Sequence, residues 1–257
     1  MSVVTATPAP QATETIVERV RRMITANPSV LPTIASVAIF VGMVIFGEVA
    51  YGRILQFNTL SNLLINNAHL IVLAVALTFV ILTGGIDLSV GSIIAVSSVA
   101  GVMLSNAGWN AFAVIIAMIG IGVLFGIVSG VLIRYFNVQP FIATLAMMFL
   151  GRGLASLLST KPERLGEESP IRWIGTQLKI IDGPKVNDLV ITPAVLVAVI
   201  VVAAAFFVLH RTRTGRTVYA IGGSESSALL MGLPVQRTKV LVYVISGGLA
   251  GLAAVLY

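Results

Sequence analysis

Long apolar stretches, each about as long as a bilayer-crossing helix of roughly 20 residues, constrain this chain more than any other feature. They run without a period-two alternation, which argues against a transmembrane β-barrel. Seven such stretches cover residues 30–49, 62–83, 86–105, 111–133, 140–159, 189–209 and 238–257. The sequence therefore predicts an all-α fold, a polytopic transmembrane helical bundle.

The composition excludes a soluble globular domain. Apolar residues make up 57% of the chain and charged residues only 10%, and mean hydropathy is +1.02. Soluble domains carry about 25% charged residues, because their surface must be wetted. The chain has no cysteine and two histidines, His69 and His210, which argues against disulfides, a thiolate centre or a multi-histidine metal site. We expect no cofactor.

The net charge of +6 does not indicate nucleic-acid binding, because the basic residues form no stripe interleaved with aromatics. Membrane lipid is the better partner for them, and their placement orients the chain. With the N-terminus inside, nine basic residues fall in inner segments and six in outer ones. The inner residues are Arg19, Arg21, Arg22, Arg134, Arg211, Arg213, Arg216, Arg237 and Lys239. We therefore expect a cytoplasmic N-terminus.

The two ends of the chain differ in character. Residues 1–29 contain a Pro/Ala/Thr-rich stretch and a short basic helical piece, and are predicted to be a disordered or amphipathic cytoplasmic N-terminus without a cleavable signal. The last apolar stretch is still apolar at Tyr257. We interpret residues 30–257 as a transmembrane domain that is truncated at its C-terminal end.

The first interruption of the apolar background is the run LTGGIDLSVGS, which holds Gly84, Gly85, Asp87 and Ser89. Glycines let the backbone leave the helix, and Asp87 is positioned to cap the helix that follows. A carboxylate near the membrane interior costs a few kcal/mol unless it is paired or solvated. Two interpretations remain open and are compatible: a tight turn with a cap, or a helix break that lines a translocation path.

The second interruption is Arg152, between Gly151 and Gly153 in the fifth stretch. Arginine within a span faces the bundle interior or water, or extends to the headgroup layer. One interpretation is an arginine that reaches the outer interface, with glycines that let a neighbouring helix approach. The other is a hydrogen-bond donor to the hydroxyls of a substrate.

The third interruption, residues 210–239, joins a basic cluster to the run SESSALLMGLP. Ser224 is a candidate N-cap, Glu225 suits the first turn, and Gly232 and Pro234 end the helix. These signals predict a stub helix of about eight residues on the cytoplasmic side. It either packs on the bundle or lipid interface, or docks into a groove of a cytoplasmic partner.

The outer loop, residues 160–188, carries five basic and five acidic residues. Because Ile171, Trp173 and Ile174 lie within it, we expect an ordered extracytoplasmic cap rather than a disordered tail. The mixed charges suit transient docking of a soluble protein, where Glu167 and Glu168 would steer the encounter. The simpler alternative is a loop that only closes the bundle.

The run LTGGIDLSVGS, followed by RTRTGRTVYAIGGSESSALLMGL and the glycine-rich ISGGLAGLAAVLY, resembles the permease subunits of bacterial ABC monosaccharide importers of the ribose, xylose and galactose branch. The segments FLGRG and YAIGG…ALLMG are most similar to those of galactofuranose-type permeases. Ser224 stands where these permeases usually have Asn, and both residues are good caps.

This resemblance implies about ten spans, of which seven would be visible here, in a bacterial inner-membrane protein. It implies a second permease copy or a related permease, cytoplasmic ATP-binding subunits and a periplasmic sugar-binding protein as partners. The sequence has no P-loop motif, so ATP hydrolysis would belong to a partner and the chain itself is not an enzyme. The residues expected to couple to the ATPase are Arg216, Gly222, Gly223, Ser224, Glu225, Ala228, Met231 and Gly232.

We therefore predict a permease that passes a neutral monosaccharide, for which hydroxyl, amide and backbone groups suffice. Gly84, Gly85, Asp87, Ser89 and Arg152 are the candidates for the path or its helix break. Two alternatives are an ion-coupled secondary transporter, which needs titratable groups deep in its spans, and a membrane scaffold whose stub helix recruits another partner.

Overall fold

The computed structural model describes residues 30–181 and 188–257. The predictions for residues 1–29, and for Asp182 and Lys185 in the outer loop, lie outside this part of the chain. The described residues contain nine α-helices, one 3₁₀-helix, Arg172–Gly175, and two short strands. The α-helices are α1 Val30–Tyr51, α2 Phe57–Leu82, α3 Val90–Asn106, α4 Ala111–Tyr135, α5 Pro140–Leu158, α6 Pro193–Arg211, α7 Arg213–Gly223, α8 Glu225–Leu230 and α9 Val235–Leu256.

The chain divides into two compact units, Met1–Gln56 and Phe57–Tyr257. In the first unit, α1 is followed by a short turn that begins at Gly52, whose φ is +64°. The Glu48 carboxylate accepts backbone N–H groups of Ile54 and Leu55, both at 2.9 Å. This side chain at the end of α1 therefore fixes the turn that follows the helix.

Six of the described helices are long and apolar enough to cross a membrane: α1, α2, α4, α5, α6 and α9. The predicted third span is shorter than expected, because α3 begins only at Val90 and has 17 residues. The residues before α3 are non-helical. In place of seven predicted spans, the structure has six full-length helices and one short helix that follows a non-helical segment. The continuous apolar pattern did not show this difference.

The second unit is built around the antiparallel contact of α4 with α9, where glycines bring the two backbones together. A side-chain carbon at Gly122 would overlap the Gly247 carbonyl oxygen, and one at Gly247 would overlap the Gly122 carbonyl oxygen. Further along, Gly126 and Gly251 lie against the backbone of the opposite helix in the same way. Small residues let transmembrane helices approach closely, and here they bring α4 and α9 into backbone contact.

The outer loop carries structure of its own. Strand β1, Leu178–Ile181, pairs with β2, Leu189–Ile191, in an antiparallel hairpin that the all-α prediction did not include. Ile171 and Ile174 are buried, whereas Trp173 is exposed. The loop is tied to α3 by the Ser105–Ser169 hydroxyl contact at 2.6 Å. The two isoleucines and this bond therefore help to order the loop, whereas the tryptophan side chain is not buried.

Candidate functional site

The seven residues Thr83–Ser89, called here the linking segment, join α2 to α3 without helical structure. At its start Gly84 has φ +74° and donates to the Ile81 carbonyl at 2.9 Å, and Gly85 donates to the Val80 carbonyl at 3.1 Å. These two bonds form a Schellman C-cap, in which the residue with positive φ is usually glycine. The pair of glycines therefore ends α2 and reverses the chain direction.

The Asp87 carboxylate is buried within the second unit and accepts three hydrogen bonds. The Ser89 N–H and hydroxyl donate to Oδ1 at 2.9 and 2.6 Å, and the Ser246 hydroxyl of α9 donates to Oδ2 at 2.7 Å. No basic residue in the described part of the chain forms an ion pair with it. Only neutral donors thus stabilise this buried carboxylate. Loss of one donor would destabilise the fold, because a buried charge would lack a hydrogen bond.

Ser246 lies well inside α9. It lies about 16 Å along the helix axis from Val235, the first residue of α9, at a rise of 1.5 Å per residue. Because Asp87 reaches this depth, the linking segment enters the bundle and is not a surface turn. Backbone groups that leave a helix inside a membrane are tolerated where protein or a cavity surrounds them.

Helix α9 contacts the linking segment a second time at the Ile86 carbonyl, where α5 also approaches it. The Tyr243 hydroxyl of α9 donates to it at 3.4 Å, and the Thr144 hydroxyl of α5 lies at 3.5 Å while bonding mainly to the Pro140 carbonyl at 2.8 Å. A side-chain carbon at Gly85 would come within 2.7 Å of the Tyr243 hydroxyl. The absence of a side chain at Gly85 therefore lets α9 close over the segment.

The expectation that Asp87 caps α3 is corrected by this geometry. The residue at the N-cap position is Ser89, and its side chain makes no capping bond to the first turn of α3. Asp87 instead binds Ser89 itself and reaches across to Ser246. Sequence reasoning missed Ser246, Tyr243 and Thr144; a serine beside Gly247 in an apolar helix was the available signal.

Arg152 does not join this cluster. Its side chain is exposed on α5 and makes no hydrogen bond or ion pair to any described residue. Its neighbour Gly151 is in close contact, since a side-chain carbon there would lie 2.7 Å from the Ser92 hydroxyl of α3, whereas Gly153 faces open space. Of the two flanking glycines, only Gly151 supports the predicted close helix approach.

The residues Arg213–Gly232, called here the α7–α8 module, form two helices where the sequence predicted one. Helix α7 begins after Thr212, whose hydroxyl accepts the Gly215 N–H at 3.2 Å. Helix α8 has six residues rather than about eight, and the Ser224 hydroxyl accepts the Ser227 N–H at 3.2 Å as predicted. Gly232, with φ +73°, follows α8.

Burial separates the module's predicted coupling residues into two groups. Ala228 is fully buried with Ile221 and Val235, so it belongs to the module's interior and presents no surface to a partner. Leu229, Leu230 and Met231 are exposed, Leu230 to 90%. These three residues therefore form an outer apolar surface at the C-terminal end of α8.

The surface around the module is basic. Arg213 and Arg216 line a cavity of about 530 Å³ together with Thr214, Thr217 and Thr238. The only carboxylate of the module, Glu225, is bound by Lys239 of α9 at 2.6 Å. The two arginines accordingly leave this surface positively charged.

On the outer loop, Glu167 and Glu168 line an open cavity of about 710 Å³ beside Trp109 and Asn110. The loop segment that forms this wall is held by Asn106, which accepts the Gly166 N–H at 3.0 Å and donates to the Arg164 carbonyl at 3.1 Å. Across residues 30–181 and 188–257, no group of three His, Asp or Glu side chains is placed to hold a metal ion.

The chain is similar in sequence to known transport permeases. A family model described as "Branched-chain amino acid transport system / permease component" matches residues 59–257, which fall within the second unit. The chain is 51% identical over 228 residues to the fructose import permease protein FruG of Bifidobacterium longum, covering 88% of this chain and 67% of that protein. No solved structure matches the chain significantly.

Two relatives from Escherichia coli are more distant. The ribose import permease protein RbsC is 37% identical over 203 residues, which is 77% of this chain and 60% of RbsC. The inner membrane ABC transporter permease protein YjfF is 34% identical over 233 residues, which is 88% of this chain and 67% of YjfF. The chain thus spans 60 to 67% of the length of these relatives.

Proposed function

This chain belongs to the branched-chain amino acid transport system / permease component family, and from that premise we propose that it is the permease subunit of an ATP-driven importer of a neutral monosaccharide. It is a multi-pass membrane permease, with six full-length apolar helices in its described residues. The names of two relatives specify fructose and ribose, which supports a monosaccharide as the substrate. The resemblance to galactofuranose-type permeases remains a prediction.

The observation that carries this proposal is the linking segment inside the bundle. Its buried polar neighbours on α5 and α9 are neutral hydroxyl groups, and its single carboxylate has neutral partners. A neutral polyol binds through such groups, whereas an ion requires countercharges or a cage of oxygen ligands. On this proposal Gly84, Gly85, Asp87 and Ser89 shape the translocation path, and Arg152 on the exposed face of α5 lies away from it.

We assign the α7–α8 module to the contact with a cytoplasmic ATPase. The exposed Leu229, Leu230 and Met231 provide an apolar surface, and Arg213 and Arg216 provide a basic one that suits acidic residues on a partner. Gly222, Gly223, Ser224, Glu225 and Gly232 set the shape and capping of the module. Ala228 contributes from its interior.

The remaining partners follow the same proposal. The N-terminus lies in the cytoplasm, a second permease copy or a related permease completes the pathway, and membrane lipid covers the apolar exterior. A periplasmic sugar-binding protein docks at the outer loop, where Glu167 and Glu168 line an exposed, ordered surface. Nucleic acid has no part in this function.

The experiment that tests the proposal is sugar uptake by proteoliposomes containing the permease with its ATPase and binding protein. Uptake should require ATP and continue in the presence of a protonophore. The permease without ATPase should not catalyse uptake driven by an ion gradient. ATP-independent uptake that stops with the protonophore would overturn the proposal.

One observation favours the rival, an ion-coupled secondary transporter: Asp87 is a buried carboxyl group. The rival requires that Asp87 gain and lose a proton or bind a cation in each cycle, so Asp87→Asn should abolish it. Our proposal uses Asp87 as a hydrogen-bond acceptor. Asp87→Asn, which keeps one acceptor oxygen, should then retain ATP-dependent uptake.

The module contact is tested by Leu230→Asp, with Ser226→Asp on the same short helix as the matched control. Both residues are exposed, so neither substitution buries a charge within the chain. Leu230→Asp should weaken binding of the ATPase at least about tenfold, because a charge replaces an interface anchor worth about 1.4 kcal/mol or more. Equal binding by the two variants would remove the module from the interface.

A further inference from the structure

The end of α7 touches the end of α2 at a backbone-to-backbone contact. A side-chain carbon built at Gly222 would overlap the carbonyl oxygen of Leu82, the last residue of α2. The neighbouring Gly223 has nothing within 4 Å of the equivalent position. Of the two adjacent glycines, only Gly222 is in contact with the bundle, and its other side is exposed.

Leu82 is followed directly by the linking segment. The Schellman cap fixes the next three residues to the end of α2 through the Val80 and Ile81 carbonyls. A shift of the last turn of α2 is therefore carried into Gly84 and Gly85, because the N–H groups of these residues are bonded to carbonyls of that turn. Gly222 contacts Leu82, the residue at which this connection begins.

The other side of the linking segment is held by α9, through Tyr243 at Ile86 and Ser246 at Asp87. Helix α9 is itself joined to the module, because Val235 in its first turn packs with Ile221 and Ala228. The module thus reaches the segment from two directions, at Leu82 and along α9. A movement of α7 relative to α9 changes the space between these two supports.

We propose that Gly222 is a positioning residue that transmits movement of the α7–α8 module to the linking segment through the Leu82 carbonyl. Glycine is required because any side-chain carbon separates the two backbones and holds the module away from α2. This inference rests on the proposed function, in which an ATPase moves the module. It assigns different roles to two glycines that the sequence treats as a pair.

The test compares Gly222→Ala with Gly120→Ala in the assembled permease and ATPase complex, measuring sugar uptake and ATP hydrolysis together. Gly222→Ala should lower the number of sugars carried per ATP by about 2- to 30-fold, the range of coupling effects of 0.5–2 kcal/mol. Gly120→Ala should match the parent protein, because nothing lies within 4 Å of a side-chain carbon at that position of α4. Equal coupling in the two variants would overturn the proposal.

A second measurement reports the segment itself. The chain has no native cysteine, so Ile86→Cys gives a single thiol, at a residue that is 48% exposed. Trapping the ATPase with vanadate should change the rate of thiol labelling when Ile86→Cys is the only substitution. The rate should stay unchanged when Ile86→Cys is combined with Gly222→Ala. The same vanadate-dependent change in both backgrounds would show that Gly222 does not transmit the movement.

If Gly222→Ala fails to accumulate in the membrane, a variant that keeps Gly222 carries the test. Leu82→Cys with Gly223→Cys, joined by a short bifunctional thiol reagent, should block uptake, with reversal when the link is cleaved. Full uptake with the link in place would contradict the inference. Failure of the proposed function is recognised separately, because the parent complex would then show no ATP-dependent uptake.

Discussion

Helix α9 contacts two regions of the bundle by different physical means. Toward α4 it presents Gly247 and Gly251, and the two backbones meet without hydrogen bonds between side chains. Toward the linking segment it presents Tyr243 and Ser246, which donate to a carbonyl and a carboxylate. The first contact depends on shape alone and the second on matched donors and acceptors. The first therefore suits a permanent frame, and the second suits a contact that can rearrange during transport.

The largest effect is expected from Gly122→Leu at the frame. The leucine side chain would overlap the Gly247 carbonyl, and separating two backbones costs about 3 kcal/mol or more. Much less folded protein should be recovered from the membrane. Gly120→Leu on the same helix is the control, because nothing lies within 4 Å of that position. Similar recovery of both variants would show that α4 and α9 are not in contact.

The next effect is expected from Asp87→Ala in the linking segment. The substitution removes the acceptor for three donors of Ser89 and Ser246, at a cost of about 2–3 kcal/mol for unsatisfied buried groups. The thermal midpoint of the purified protein should fall and uptake should be lost. Asp87→Asn should have a smaller effect on both. Equal loss in the two variants would indicate that the charge, and not the bonding, is required.

Ser246→Ala should cost about 1 kcal/mol, since one hydrogen bond to the carboxylate is lost. Ser97→Ala is its control, because Ser97 is buried in α3 and its hydroxyl has no partner among the described residues. That substitution should leave the midpoint unchanged or raise it. A drop in the Ser97 variant as large as in the Ser246 variant would mean that burial, rather than the bond to Asp87, sets the cost.

The smallest effect is expected from Lys239→Met, which removes the ion pair with Glu225 at the start of α9. The Glu225 side chain is 48% exposed, so water screens the pair. Exposed pairs contribute about 0–1 kcal/mol. The thermal midpoint should change little, and this change should be smaller still at high salt. A drop as large as that of Ser246→Ala would show that this contact is buried in the membrane-embedded protein.

The predictions that succeeded concern local signals. The apolar stretches gave the helices, since helix length and hydropathy depend only on neighbouring residues. The Ser224 cap was also readable, because a side-chain oxygen caps a backbone N–H three residues away. The run around Gly84 and Gly85 marked the place where α2 ends, and the structure has a non-helical segment there.

The features that the sequence did not reveal depend on what surrounds a residue. Ala228 has a small apolar side chain that suits either a surface or an interior, and only the packing of α7 against α9 buries it. Asp87 was expected to cap the helix that directly follows it in the sequence, yet its carboxylate reaches α9. Ile171, Trp173 and Ile174 were expected to order the outer loop together, and only the two isoleucines are buried.

By itself the sequence determined that this chain is a membrane bundle, where its apolar helices lie and where the helical pattern is interrupted. Only the tertiary structure decided that Asp87 bonds to Ser246, 159 positions away, and that Gly222 rather than Gly223 meets Leu82. The physical reason is that hydropathy and capping act over a few residues. The partner of a buried polar group, and the face of a helix that meets another, are set by how distant helices pack.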